Sequence, residues 1–212
     1  MNPTVLALFT LVASTATAQA GMVYTHQERR IMAFANADFG ALFVEDSRSA
    51  PGFGPFVENL QVFATSWNGA NRGVGRAYQE STLDPLRILA DGGWSGASEG
   101  GLPGGLGGGL SSLSVQFTLD EPLGFTLQFG LVGEFHVRLT GPNGFFIDHS
   151  GFFSGTLQPG AYSMEALAQG GSSSFPASGG GFHADLQLVP APSAVAVLGL
   201  PVAALAGRRR RG

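Results

Sequence analysis

The chain has 212 residues, with 33 glycines, eleven arginines, no lysine and no cysteine. That composition excludes a disulfide framework, a Cys-ligated zinc or iron–sulfur site, a thiol nucleophile, and any P-loop or Schiff-base chemistry that needs a lysine. The length suits one ordinary domain, the net charge of −4 argues against nucleic acid, and the glycines lack the three-residue period of collagen.

Residues 1–20 carry no charged side chain. An apolar run, VLALFTLVA over residues 5–13, is too short to span a bilayer and gives way to the small polar stretch STATAQA. Ala18 and Ala20 meet the small-x-small rule for signal peptidase, so residues 1–20 read as a signal peptide and Gly21 as the first mature residue. Residues 21–188 then form the exported body. It keeps seven arginines against 15 carboxylates, about −8 in formal charge, because four arginines sit at the extreme C-terminus.

The first half of the body has a weak pattern. Residues 30–44 admit one or two strands, with a helix over 28–37 as the alternative. Residues 59–66 alternate as Leu60, Val62, Ala64 and Ser66, and residues 70–81 read as strand or loop with Arg72 and Arg76 exposed. Asp84-Pro85 marks a turn. Residues 92–109 hold ten glycines in 18 positions, and that backbone entropy predicts a long flexible loop or linker. Residues 170–181 look like similar material. Neither stretch has the spacing, lysine or following helix of a phosphate cradle.

The second half alternates with period two. Leu113, Val115, Phe117 and Leu119 face one way, as do Phe125, Leu127 and Phe129, then Phe135, Val137 and Leu139. GPNG at 141–144 is a tight turn with Asn143 and Gly144 in the left-handed positions. Further strands follow over 151–157 and 161–168, and Phe182, Ala184, Leu186 and Leu188 make the last. Turn signals every 8–12 residues predict an all-β fold, an antiparallel β-sandwich or jelly-roll-like body of about ten strands.

The C-terminal segment, residues 189–212, has three parts. Val189, Pro190, Ala191 and Pro192 precede an apolar stretch over 194–207, read as a hydrophobic helix that anchors the chain in a membrane, and Arg208, Arg209, Arg210 and Arg211 form a basic anchor. This arrangement resembles the C-terminal sorting signal of the PEP-CTERM class, with the variant V-P-A-P motif of planctomycete-type surface proteins, in which Ala191 replaces the usual glutamate. The resemblance implies a bacterial exported protein, handled by signal peptidase and an exosortase-like sorting enzyme. It also implies residence at the cell surface or in the extracellular matrix after membrane tethering by the tail. Residues 139–142 and 153–162 bear a looser likeness to domains that accompany this tail, a likeness that carries a fold and a location but no chemistry.

Candidate chemistry is sparse. His136, Asp148 and His149 are the best set for a metal, Asp120, Glu121 and Glu134 the best for paired carboxylates, and Ser95 and Ser154 lack the elbow of a serine hydrolase. Outward rings of the doublets Phe145-Phe146 and Phe152-Phe153, with Trp67 and Trp94 in loops, offer a surface for sugars. The expectation is a non-catalytic surface protein with no cofactor and no catalytic residue. A secreted carbohydrate-binding module or hydrolase, using Trp67, Trp94 or the His149 region, is the alternative.

Overall fold

The computed structural model describes residues 21–100, 104–133, 135–173 and 177–189. The expected signal peptide with Ala18 and Ala20, the motif residues Pro190, Ala191 and Pro192, the apolar stretch 194–207 and Arg208, Arg209, Arg210 and Arg211 lie outside the described residues.

Among the described residues there are twelve strands: β1 (Val23–Ala37), β2 (Leu42–Ser49), β3 (Phe56–Thr65), β4 (Asn71–Asp84), β5 (Arg87–Gly100), β6 (Leu106–Leu119), β7 (Leu123–Val132), β8 (Phe135–Thr140), β9 (Phe146–Ile147), β10 (Gly151–Leu157), β11 (Gly160–Ser172) and β12 (Ser178–Val189). They build two antiparallel six-stranded sheets, ordered β2-β1-β6-β11-β8-β9 and β10-β7-β12-β5-β4-β3, packed face to face as a β-sandwich. From β5 onward the pairing is nested: β5 with β12, β6 with β11, β7 with β10, β8 with β9. The hairpins β1–β2 and β3–β4 extend one sheet each, beside β6 and β5.

The inward rows are those the alternation announces. Leu113, Val115, Phe117 and Leu119 of β6 meet Leu123, Phe125, Leu127 and Phe129 of β7 and Phe182, Ala184, Leu186 and Leu188 of β12 in one buried cluster. Burial of each large side chain contributes about 1.5–3 kcal/mol. A second cluster joins Ile31, Ala33, Ala35 and Ala37 of β1 to Phe56, Leu60, Val62 and Ala64 of β3. The helix considered for residues 28–37 is therefore a strand. Its inward side chains are mostly alanines, so no contrast of large apolar and polar residues marks the period. GPNG turns as expected, with Asn143 at φ 56° and Gly144 at φ 77°. In the turn that follows β10, the Tyr162 hydroxyl donates to the Gln158 carbonyl at 2.7 Å, locking the entry to β11.

Among the described residues, most of the glycine-rich stretches are strand and not loop. Residues 92–100 belong to β5 and 106–109 to β6, while 170–172 belong to β11 and 178–181 to β12. The entropy argument fails because here the two sheets approach backbone to backbone, closer than the usual spacing of about 10 Å. A Cβ at Gly109 would lie 2.5 Å from the Arg76 carbonyl oxygen, one at Gly75 2.5 Å from the Gly108 oxygen, and one at Gly96 2.5 Å from the Gly107 carbonyl carbon. At Gly107 a Cβ would overlap the Val74 carbonyl outright. Only glycine permits this contact, and ladder hydrogen bonds on both sides offset its conformational freedom.

Arg29 of β1 is buried at 1% exposure. Its Nε donates to Gln27 Oε1 at 2.9 Å, Nη1 to the Ser81 hydroxyl at 3.2 Å, and Nη2 to the carbonyls of Gly52 and, at 2.7 Å, Gly54. The guanidinium thus ties the β2–β3 connection to β4 with neutral acceptors. Burial lowers its pKa from the ordinary arginine value.

The expected transmembrane helix and membrane anchor require correction. Helical structure among the described residues is limited to two 3-10 turns, Asp38–Gly40 and Pro142–Gly144, and no helix there is long and apolar enough to cross a membrane. The stretch that prompted the expectation, residues 194–207, lies outside the described residues. By its sequence, 14 residues would rise about 21 Å if helical, short of a core of about 30 Å, and they contain Pro201.

Candidate functional site

Among the described residues, an open groove of about 610 Å³ lies on the outer face of the second sheet. Strand register builds it. Across β4, β5, β12 and β7, one row reads Tyr78, Gly93, Gly181, Val132, and the next reads Glu80, Asp91, His183, Gly130. Three glycines remove side chains from the middle of this face and leave a floor of bare backbone. The Tyr78 ring leans from β4 into that space. A Cβ at Gly93 would sit 2.7 Å from the ring, and one at Gly181 3.3 Å from its hydroxyl. The glycines therefore let the ring lie down across the sheet with 47% of the residue exposed.

Beside the ring, His183 Nδ1 and Asp91 Oδ1 are 2.7 Å apart, a cross-strand hydrogen bond between partly exposed groups. Engagement of Nδ1 leaves Nε2 as the nitrogen that meets a ligand. Val132, 70% exposed, forms the opposite wall. One row further along, Arg87 grips Asp185 bidentately at 2.8 and 2.7 Å, and that bond raises the arginine's pKa from its ordinary value. The arrangement offers an aromatic surface, a carboxylate and an imidazole around a glycine floor. The same-face neighbours of the His–Asp pair, Gly93, Gly130 and Gly181, supply no nucleophile.

The residues singled out by sequence are scattered. Gly21 lies against the β4–β5 turn, where the neighbouring Met22 N–H donates to the Pro85 carbonyl at 2.6 Å. Val189 ends β12, paired with Gly124. Trp67 is 85% exposed in the β3–β4 turn, where its N–H donates to Asp38 Oδ2 at 3.0 Å. Trp94 is not a loop residue: it sits within β5 and packs against the core cluster, with a Cβ at Gly170 blocked by its indole. His149 lies 3.4 Å from Asp148 and meets the Phe153 ring edge-on at 5.0 Å, while His136 is on β8. Among the described residues, no group of three or more His, Asp or Glu is placed to hold a metal ion. Asp120 and Glu121 are exposed in the β6–β7 turn, and Glu134 lies outside the described residues. The aromatic doublets split as expected: Phe146 and Phe152 face solvent, while Phe145 and Phe153 pack inward.

Sequence reasoning missed Tyr78, Asp91 and His183 as a set. The missing signal was the strand identity of Gly93 and Gly181, which puts all of them on one face.

Fold and site together define an antiparallel two-sheet β-sandwich with an open groove on one outer face. No family model, curated protein or solved structure matches the chain.

Proposed function

We propose that the chain is an exported, non-catalytic protein of the cell surface or extracellular matrix. It is cleaved after Ala20 and sorted through the PEP-CTERM-like motif Val189, Pro190, Ala191 and Pro192 by an exosortase-like enzyme. We further infer that the body is a jelly roll. The nested ladders β5:β12, β6:β11, β7:β10 and β8:β9 are those of one long hairpin rolled into two sheets, which favours that reading over an unspecified sandwich.

The observation that carries the functional reading is where the β-sandwich begins and ends. Met22 N–H bonds to the Pro85 carbonyl and Leu188 N–H to the Leu86 carbonyl, so β1 begins and β12 ends at the same turn. A body entered and left at one pole suits removal of a leader and processing of a tail without disturbance of the fold. The glycines around His183 and Asp91 favour a binding role over a catalytic one.

Mass spectrometry of the protein from its native envelope tests this. The expected species starts at Gly21 and lacks Arg208, Arg209, Arg210 and Arg211. An exported chain that retains those arginines overturns the sorting reading.

A further inference from the structure

We propose that the groove across β4, β5, β12 and β7 binds a short stretch of a neutral polysaccharide, with Tyr78 as its stacking platform and the Asp91–His183 pair as its hydroxyl-reading group.

The chemistry of the groove selects the ligand. A pyranose ring has an apolar C–H face and an equatorial belt of hydroxyls, so it needs a flat aromatic surface bordered by acceptors and donors. Tyr78 supplies the surface: its ring lies over Gly93 with the hydroxyl above Gly181 and is 47% exposed. Asp91 supplies a carboxylate that accepts from vicinal hydroxyls, and His183, held at Nδ1 by Asp91, presents Nε2. Gly130 and Gly181 leave backbone beside the ring that sugar rings can reach, Gly93 lies beneath the ring, and Val132 gives an apolar wall. Four strands at the usual spacing of about 4.8 Å span about 14 Å, a length for an oligosaccharide and not for a single ring. The volume of about 610 Å³ agrees. Charge excludes the acidic polymers: Glu80 is the cross-strand neighbour of Asp91, Asp185 lies one row away with Arg87 already on it, and the body is strongly acidic.

This site differs from the one expected from sequence. Trp94 packs against the core and also lines the groove, so it is shared with that expectation, whereas Trp67 belongs to the β3–β4 turn outside the groove and Tyr78, Asp91 and His183 are new. The proposal stands apart from how the chain is sorted, so its failure leaves the envelope measurement untouched.

The test is a titration of the purified full chain, followed by amide NMR, with four neutral tetrasaccharides: β-1,4-linked glucose, β-1,4-linked N-acetylglucosamine, β-1,3-linked glucose and α-1,4-linked glucose. At least one is expected to shift the amides of Gly93, Gly130 and Gly181, with a dissociation constant in the range of about 0.1–5 mM. Tyr78→Ala is expected to weaken that binding about tenfold or more, Tyr78→Phe to preserve it, Asp91→Asn to weaken it severalfold, and Trp67→Ala to leave it unchanged. Silence of all four sugars at about 10 mM, shifts confined to other faces, or full binding by a folded Tyr78→Ala variant overturns the proposal.

Discussion

Substitution of Gly109 by alanine separates two accounts of the glycine-rich strands by the sign of its effect. In an ordinary strand, alanine in place of glycine stabilises by about 0.5–1 kcal/mol, because the unfolded chain has less freedom to lose. At Gly109 the new Cβ would stand 2.5 Å from the Arg76 carbonyl oxygen, 2.9 Å from the Met32 oxygen and 3.1 Å from the Ala77 Cβ. Ordinary contact begins at 3.4 Å, so the nearest atom must retreat by 0.9 Å. Two of these obstacles are backbone in hydrogen-bonded ladders, so no side-chain rotation relieves them and the sheets themselves must part. A gap of 0.5–1 Å forfeits about a quarter to a half of each dispersion contact across the interface. Overpacking of this kind costs about 1–3 kcal/mol, and the rigid neighbours put Gly109→Ala at the upper end. For a body of this size each kcal/mol moves the melting temperature by about 2–4 °C, which gives a fall of about 6–12 °C. Gly54→Ala is the control, since a Cβ there meets nothing within 4 Å. Calorimetry and urea titration of both variants measure the contrast. A Gly109→Ala variant as stable as the parent, or more stable, would refute backbone-to-backbone packing of the sheets.

Three more expectations follow from the interior. Arg29→Met removes a guanidinium bonded to Gln27, Ser81, Gly52 and Gly54 and strands the buried Ser81 hydroxyl, the other acceptors having access to water, so urea unfolding should show a loss of about 1–3 kcal/mol. Tyr162→Phe deletes the bond to the Gln158 carbonyl and should cost about 1–1.5 kcal/mol by the same assay, with the circular dichroism spectrum unchanged. Burial raises the pKa of Tyr24, with Asp84 adding to the effect, and burial also raises that of Tyr162. A raised phenol binds its proton more tightly folded than unfolded, so its contribution is complete below pH 10.0 and is lost as pH climbs above that value. Stability measured from pH 8 to 12 should fall beyond about pH 10, and the Tyr24→Phe, Tyr162→Phe double variant should flatten that fall.

Strands β6 and β7 were legible because each alternates large apolar residues with small or polar ones, so the core row from Leu113 to Leu119 declares its period. The first strand hid its period because its inward residues are Ala33, Ala35 and Ala37 while Met32 and Phe34 face the other way. Glycines 92–109 misled for a different reason. Their cost is local and written in the sequence, whereas their benefit is a contact between strands distant along the chain, such as Gly109 with Arg76. The groove inherits that difficulty. Once Gly93 and Gly181 are read as loop, Tyr78, Asp91 and His183 have no common face, and Trp94 takes their place as the visible aromatic.

The sandwich begins and ends at one pole, which sets a direction for the whole body. Val189 closes β12 at the turn that also receives Met22. Gly181 stands eight residues back along the same strand, about 26 Å at a rise of 3.3 Å per residue. A copy fastened through its C-terminal motif would therefore stand upright like a short mast. Its groove would ride well above the point of attachment, and Trp67 and Phe39, each 85% exposed, would crown the opposite tip.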